Sequence, residues 1–208
     1  MQAKPLNKNE KRTRETRELL LRSAEAIFVR DGYERAELGE IARLAGRTKG
    51  AIYAQFKSKE DLFLALFVER MDYHSTRMLE KLAGSTDTDR NIALFREFYV
   101  GTVVERSWAL LLLEFKLFAI RHPDSRARLQ SARRDLLPNA YKDEEFAKVF
   151  GAGGNSGGVS GSAAVAVLGP IMSALAVEAQ IEPELLDEKT MRNVVGRLFD
   201  ALLMPPTA

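Results

Sequence analysis

The chain has 208 residues, of which 46% are hydrophobic and 29% are charged, as in ordinary globular proteins. It contains no cysteine, which excludes disulfides and thiolate metal sites and agrees with a reducing cytoplasm. The N-terminal residues are polar and unlike a secretory signal. The most apolar window, from Ala163 to Val177, is shorter than the about 20 residues that a spanning helix needs. We expect neither export nor a membrane segment.

The net charge of +2 conceals an asymmetry along the chain. Residues 1–60 carry 14 Lys/Arg and 9 Asp/Glu, whereas residues 61–208 carry 17 and 20, so the net charges are +5 and −3. A basic N-terminal third on a mildly acidic body favours a polyanion as the partner of that end. A solvated surface rich in lysine and arginine would explain the same numbers.

The first predicted elements have the 3.6-residue period of helices. One helix places apolar residues at Leu20, Ala24, Ile27 and Phe28 and stops at Gly32. A short helix over residues 38–45 ends at Gly46, and Ile52 and Phe56 mark another. Residues 58–61 resemble a capping box that opens a long helix toward Leu82, and residues 84–89 form a polar break.

The second half of the chain continues with helical periodicity. The predicted helices cover residues 92–106, 108–121, 125–137, 162–179 and 187–203. Residues 151–161 hold six glycines and predict a flexible loop, and Gly169-Pro170 predicts a kink in the helix that follows. No run of alternating β-branched residues competes with these helices, so the predicted fold is all-α.

The stretch from Glu37 to Leu62 has the pattern of a helix-turn-helix motif, in which two short helices are joined by a tight turn that contains glycine. Ala42 allows close helix crossing, Gly46 supplies a left-handed backbone conformation, and Thr48 can cap the second helix. The residues that fill the shared core are Ile41, Ala45, Ile52 and Phe56. The residues left facing outward are Arg47, Lys49, Gly50, Ala51, Tyr53 and Ala54.

These residues also carry a family resemblance. The matching positions are Ala26, Phe28, Gly32, Tyr33, Ile41, Ala42, Ala45, Gly46, Thr48, Lys49, Gly50, Ile52, Tyr53, Phe56, Ser58, Lys59, Glu60 and Leu62. Their order and spacing over about 50 residues resemble the TetR family of bacterial regulators, and residues 108–129 resemble the middle helices of some members. The resemblance implies a three-helix DNA-binding domain, a connecting fourth helix, and a helical ligand-binding and dimerisation domain.

The sequence departs from the family pattern at three positions. Ala36 and Glu37 stand where a threonine or serine is usual, which removes an N-cap worth about 1 kcal/mol and a hydroxyl for phosphate. Arg47 stands where the turn usually has a small apolar residue, and it either reaches DNA or is only exposed. These departures affect the expected list of contacts rather than the expectation of DNA binding.

The resemblance implies roles for the exposed residues of the motif. The expected DNA contacts are Arg47, Thr48, Lys49, Gly50, Ala51, Tyr53, Ala54, Lys57 and Lys59, with Arg12, Arg14 and Arg17 as weaker candidates. The first turn of a recognition helix faces base edges, and flanking groups bind phosphate. Alternatively, Gly50 provides clearance for helix packing, Tyr53 braces the motif, and the lysines are solvated.

The resemblance also divides the chain into two domains. Residues 1–57 are expected to bind DNA, with a flexible basic arm over about residues 1–12, and residues 58–208 are expected to bind an effector and dimerise. The candidate effector contacts are Phe95, Tyr99, Trp108, Phe115, Phe118, His122 and Met172. The candidate dimer contacts are Leu168, Met172, Leu175, Val195, Leu198, Phe199 and Leu202, with Ile171 and Val194 beside them. Each of these residues could instead belong to the core of one protomer.

We expect a homodimeric cytoplasmic regulator that binds a double-stranded DNA operator, without a cofactor, a metal or a membrane. A hydrophobic small molecule would release it, since ligand binding can favour a spacing of the two DNA-binding units that no longer fits the major grooves. A DNA-binding regulator without an effector is the alternative. An enzyme is the remote alternative, because residues 154–158 match G-x-S-x-G around Ser156 but lack the strand that this motif requires.

Overall fold

The computed structural model describes residues 7–83, 85–102, 106–136 and 161–203. Within these ranges the chain forms nine α-helices and no strand, which confirms the predicted all-α fold. The helices are α1 (Lys8–Arg35), α2 (Leu38–Leu44), α3 (Lys49–Tyr53), α4 (Lys59–Leu82), α5 (Thr88–Thr102), α6 (Arg106–Arg121), α7 (Pro123–Leu136), α8 (Gly161–Ile181) and α9 (Glu188–Leu203). The three-helix unit, α1–α3, precedes the linking helix α4 and the helical body, α5–α9.

Helix α1 begins earlier than the sequence suggested. The side chain of Asn7 accepts hydrogen bonds from the N–H groups of Asn9 and Glu10, and the Glu10 carboxylate accepts the Asn7 N–H at 2.7 Å. This capping box satisfies donors that would otherwise lack partners at the helix start. The prediction of a flexible arm over residues 1–12 is therefore wrong for residues 8–12, which are helical.

Gly32 interrupts α1, as predicted. Its φ of 80° and ψ of 168° lie in a region that is essentially restricted to glycine, and the chain resumes a short helical turn up to Arg35. The start of α4 differs in detail from the predicted capping box. Ser58 caps the helix by accepting the Asp61 N–H at 3.0 Å, but the Asp61 carboxylate accepts the N–H of Lys57 instead of that of Ser58.

The later helices match the predicted ones with shifted ends. Helix α5 begins at Thr88, four residues before the predicted start, and α7 begins at Pro123, where a proline loses no helical hydrogen bond. Helix α8 continues through Pro170 as one element to Ile181. The predicted glycine-rich loop lies outside the described residues except for Gly161, the first residue of α8.

Two clusters of buried side chains hold the helices together. The N-terminal core combines residues of α1–α4 with residues of α6 and α7, and the C-terminal core combines residues of α5, α8 and α9. Helix α6 packs against α1, α7 and α8, so it contacts both halves of the molecule. Within the described helices, none is long and apolar enough to cross a membrane.

Phe63 of α4 lies at the centre of the N-terminal core. Its ring centroid is 5.4 Å from that of Phe28, 5.3 Å from that of Tyr33 and 4.1 Å from that of Phe115. These rings come from α1, α4 and α6, and Phe63 itself is fully buried. The expected domain boundary at residue 58 therefore runs through one continuous core.

Candidate nucleic-acid interface

The turn between α2 and α3 has the geometry of a helix-turn-helix. Gly46 adopts a φ of 63°, and the Arg47 N–H donates to the Ala42 carbonyl at 2.8 Å, which closes the end of α2. Glu37 makes no side-chain cap at the start of α2, so the loss of a cap that the sequence predicted is observed. Thr48 caps α3 by accepting the Ala51 N–H at 3.3 Å.

The first turn of α3 points away from the protein. Ile52 is fully buried and Phe56 is nearly so, which anchors the inner face of the short helix in the N-terminal core. On the outer face Thr48, Lys49 and Gly50 are exposed, and 53% of Tyr53 is accessible to solvent. A groove of duplex DNA would meet this outer face without any rearrangement of the helix.

The structure separates the alternative roles of three of these residues. A Cβ atom on Gly50 would meet only the Thr48 hydroxyl, at 3.7 Å, so Gly50 is not required for helix packing. The exposure of Tyr53 argues against a bracing role for its ring. Lys49 makes no hydrogen bond or ion pair with the described part of the chain. Ala54 is also exposed, whereas Ala51 is half-buried.

The flanking basic residues divide into exposed residues, which are free of the core, and one residue that packs on the core. Lys57 is exposed, and Arg47 is exposed with its guanidinium 3.0 Å from the Gly46 carbonyl and 3.5 Å from the Thr16 hydroxyl. Arg12 is exposed at the start of α1. Arg17 instead lies over the Phe56 ring, 4.7 Å from its centroid, and thereby covers the core.

Lys59 points inward, contrary to its expected role as a phosphate contact. Its ammonium group donates to the carbonyls of Glu34 at 2.7 Å and Ala36 at 3.3 Å, and it lies over the Tyr33 ring. Partial burial lowers the pKa of Lys59, and the nearby Glu34 carboxylate opposes that shift. Lys59 joins the start of α4 to the end of α1, so we omit it from the DNA contacts proposed below.

A set of polar contacts that the sequence did not predict joins the three-helix unit and α4 to the body. We call it the inter-unit seam. Glu114 of α6 accepts the Tyr33 N–H at 2.9 Å, and its carboxylate fills the space where a side chain on Gly32 would lie. Arg128 of α7 pairs with Glu60 at 2.9 Å and also with Asp61. These residues are far apart in sequence, and no local motif indicates their contact.

Gly32→Ala tests the seam and the helix break together. The substitution adds a Cβ about 2.5 Å from the Glu114 carboxylate oxygen, at a backbone conformation that costs about 1–3 kcal/mol for other residues. We expect the free energy of unfolding in urea to fall by at least that amount. Gly39→Ala is the matched control, because nothing lies within 4 Å of the Cβ that alanine would add there and the position is helical. Equal stability of the two variants would contradict this account.

The candidate effector contacts do not form one group. Phe115 is fully buried in the N-terminal core, and Trp108 and Phe118 pack against that core. His122 is exposed, and its ring stacks on Phe118. Phe95, Tyr99 and Met172 lie in the C-terminal core. The candidates therefore divide between two clusters, because an apolar residue on a helix does not reveal which neighbour it faces.

Four of the candidate dimer contacts are buried within the protomer. Their exposed fractions are 0% for Leu168, Val195 and Phe199 and 5% for Met172, so these side chains close the C-terminal core instead. Leu175, Leu198 and Leu202 are half-buried, as are Ile171 and Val194. The exposed residues of α8 among those described are Ala163, Val167, Pro170, Ala174, Glu178, Gln180 and Ile181, and the first four form a stripe of small and apolar side chains that Glu178 ends.

Comparison with known proteins gives the context for this geometry. The model of the family described as bacterial regulatory proteins, tetR family, matches residues 20–66. The fatty acid metabolism regulator protein of Bacillus subtilis is 32% identical over 36% of this chain and 39% of that protein. The transcriptional regulator AcrR of Shigella flexneri is 30% identical over 64% of this chain and 63% of its own length. The chain thus spans less than two thirds of these relatives.

A solved structure supports the fold over nearly the whole chain. The regulator FadR of Bacillus subtilis in complex with stearoyl-CoA superposes with a TM-score of 0.60, covering 88% of this chain and 96% of that one, at 20% identity. At that identity the likeness concerns the fold alone.

The fold and the outward first turn of α3 together define a helix-turn-helix protein. The match of the motif and the relatives then show what it resembles: residues 20–66 carry the pattern of bacterial regulatory proteins of the tetR family, and the chain is similar to regulators such as AcrR. The relatives are named as regulators, in agreement with the prediction that this chain is not an enzyme. Ser156, the residue behind the enzyme alternative, lies outside the described residues.

Proposed function

We propose that this chain is a dimeric transcriptional repressor. It works in the cytoplasm and represses transcription when it is bound to a palindromic DNA operator. The observation that supports the proposal is the outward first turn of α3, anchored by Ile52 and presenting Lys49, Gly50 and Tyr53. Backbone and side-chain groups at the start of a recognition helix are the ones that reach base edges. Thr48, Ala51 and Ala54 complete the proposed surface in the groove, and Arg47 and Lys57 contact phosphates at its margin.

Selection of bound fragments from random duplex DNA tests this proposal. We expect an enriched site with two related half-sites about one helical turn apart, or a multiple of it, because two copies of α3 must reach successive major grooves. A mobility-shift titration with the selected site should then show binding that weakens with salt. Enrichment of no sequence, together with no shift at low ionic strength, would refute the proposal.

A dimer requires a self-complementary surface, and α8 offers one. Ala163, Val167, Pro170 and Ala174 form an outward stripe of small and apolar residues, and 46% of Val167 is exposed. Such a stripe allows the same helix of a second copy to pack closely. Helix α9 would contribute its half-buried Leu198 beside it. We propose that α8 and α9 form the dimer interface through these outward residues.

Val167→Glu should disrupt the dimer, since it places a carboxylate and its symmetry mate in an apolar interface. We expect light scattering to report a monomer at concentrations where the unchanged protein is a dimer, with operator affinity lowered at least about tenfold. Leu185→Glu is a suitable control, because Leu185 is 69% exposed and lies beyond the end of α8. A dimeric Val167→Glu protein would show that another surface is used.

We propose further that a hydrophobic small molecule bound in the body releases the operator. A relative from Bacillus subtilis is named for fatty acid metabolism, and a similar solved structure from the same organism is in complex with stearoyl-CoA, which favours an effector with a long apolar part. A shift of α6 or α7 on effector binding would be transmitted to the three-helix unit through Glu114 and to α4 through Arg128, the seam residues of the body.

Mass spectrometry of extracts from the purified protein, followed by mobility shifts with any molecule found, tests for the effector. We expect the extracted molecule to weaken operator binding. An operator affinity that is unchanged by every extracted molecule would favour the alternative of a regulator without an effector.

A further inference from the structure

The backbone between α3 and α4 is held by hydrogen bonds that run in two directions. The N–H groups of Ala54, Gln55 and Phe56 donate back to carbonyls of α3, at 3.0, 2.9 and 2.7 Å. The N–H of Lys57, the next residue, donates forward to the Asp61 carboxylate of α4 at 2.9 Å. Asp61 therefore fixes the joint at which the chain leaves the DNA-facing motif and enters α4.

The same carboxylate is bound to the body by α7. One oxygen of Asp61 accepts the Lys57 N–H, and the other accepts from the Arg128 guanidinium. The guanidinium also pairs with Glu60 at 2.9 Å, and Glu60 accepts the Ser125 hydroxyl at 3.0 Å. Two residues of α7 that are one turn apart thus hold two adjacent carboxylates in the first turn of α4. A single side chain, that of Asp61, connects Arg128 to the Lys57 backbone.

These contacts are sheltered and lie beside packed backbone. The side chains of Glu60 and Asp61 are 18% and 21% exposed, and Ser125 is 5% exposed. The residues that follow the two ion-paired positions, Leu62 on α4 and Leu129 on α7, are buried in the N-terminal core. A guanidinium that contacts two carboxylates from a packed helix restrains them more than a single exposed ion pair does.

The joint affects how α3 is presented to DNA. Helix α3 has five residues, of which only Ile52 is buried, so its direction depends on the chain at its two ends. Gly46 and Thr48 fix the first end, and the bond from Lys57 to Asp61 fixes the second. Holding a binding segment in its bound conformation before the partner arrives raises affinity, because less ordering is needed on binding.

We propose that Arg128 is a positioning residue for DNA binding. Through the Asp61 carboxylate it holds the Lys57 backbone, and with it the joint between α3 and α4, in the geometry that the operator requires. The inference rests on the proposed function, because it names a residue of the body on which the DNA-binding surface depends. The restraint acts on the free protein, so this role of Arg128 does not need an effector.

Mobility-shift titrations of the full chain, with the operator selected from random DNA and with scrambled DNA, test the proposal. We expect Arg128→Met to weaken operator binding about five- to tenfold, at the lower end of the usual coupling between two sites. Binding to scrambled DNA and the salt dependence of operator binding should be unchanged, because Arg128 itself neutralises no phosphate. Arg128→Lys should keep part of the affinity, since an ammonium group can still pair with Asp61.

A double-mutant cycle identifies the route of the effect. Asp61→Ala should weaken operator binding to a similar extent, and adding Arg128→Met should cause little further loss, because both changes act on the Lys57 N–H. Glu60→Gln is the matched comparison, since it removes the other ion pair of Arg128 without touching Lys57, and operator affinity should be almost unchanged. Arg126→Met, on the exposed face of α7, removes the same charge and should bind as the unchanged protein does.

Circular dichroism at the temperature of the titrations establishes that each variant is folded, and Arg128→Gln provides a second neutral variant. Unchanged operator affinity in Arg128→Met, or losses that add in the double variant, would overturn the proposal. A lower salt dependence in Arg128→Met would also overturn it, since this residue would then contact phosphate directly. If the unchanged protein selects no site, the proposed function fails and this inference with it. If it selects a site that Arg128→Met binds equally well, this inference alone fails.

Discussion

Phe63→Ala is expected to lower the free energy of unfolding by about 3–5 kcal/mol, the usual cost of removing a fully buried phenyl ring. The ring of Phe63 is 0% exposed and contacts aromatic rings from both α1 and α6. Its removal leaves a cavity between the three-helix unit and the body, which the surrounding helices can fill only in part.

Urea denaturation followed by circular dichroism measures this effect. We expect one transition in both proteins, with a lower midpoint in the variant, because the N-terminal core spans the two parts of the chain. Leu185→Ala is the control, since a side chain that is 69% exposed should change stability by less than about 0.5 kcal/mol. Two separate transitions in the unchanged protein would show that the three-helix unit and the body unfold independently.

The double substitution Lys49→Ala and Tyr53→Ala is expected to weaken operator binding roughly 100-fold, which corresponds to about 2–3 kcal/mol. Lys49 is the side chain on the outer face of α3 best able to read guanine, a contact worth about 1–3 kcal/mol when well formed. Tyr53 would add a hydrogen bond from its phenol to a phosphate oxygen, worth about 1 kcal/mol. Both side chains are exposed, so the variant should keep its stability.

The single variants assign the two roles. Lys49→Ala should reduce the preference for the selected operator over scrambled DNA, whereas Tyr53→Ala should weaken both equally without changing the salt dependence, because a phenol neutralises no phosphate. Lys189→Ala, remote on α9, should bind as the unchanged protein does. Full operator affinity in the double variant would mean that α3 is not the helix that enters the groove.

Periodicity and turn chemistry were sufficient to predict most of the fold. The positions of Gly46, Thr48 and Ser58 placed three helix ends correctly, and Gly32 marked the break inside α1, because each of these residues acts on its own stretch of backbone. The same local logic identified Ile52 as the inner face of α3. The start of α1 was missed because its capping box uses asparagine at residue 7, within a stretch that was assigned to a flexible arm.

The functional surfaces were harder to predict because they depend on which helices are neighbours. Phe199 and Val195 are apolar in the sequence whether they face a second copy or the protomer's own α5 and α8, and the structure places them inside. The position of Lys59 at the start of α4 was correct, but the direction of its side chain was set by two carbonyls about 25 residues away.

The inter-unit seam has a consequence for engineering. Consider a chimaera that joins the first 57 residues of this chain to the effector domain of another regulator. It would retain Tyr33 but lose Glu114, the hydrogen-bond partner of Tyr33 in the body. It would also lose both members of the Arg128–Glu60 ion pair. Under the proposed function, we expect such a hybrid to bind its operator and to lose the response to the new inducer. Biosensors assembled from parts of related regulators should therefore transplant helices α4, α6 and α7 together with the DNA-recognition module.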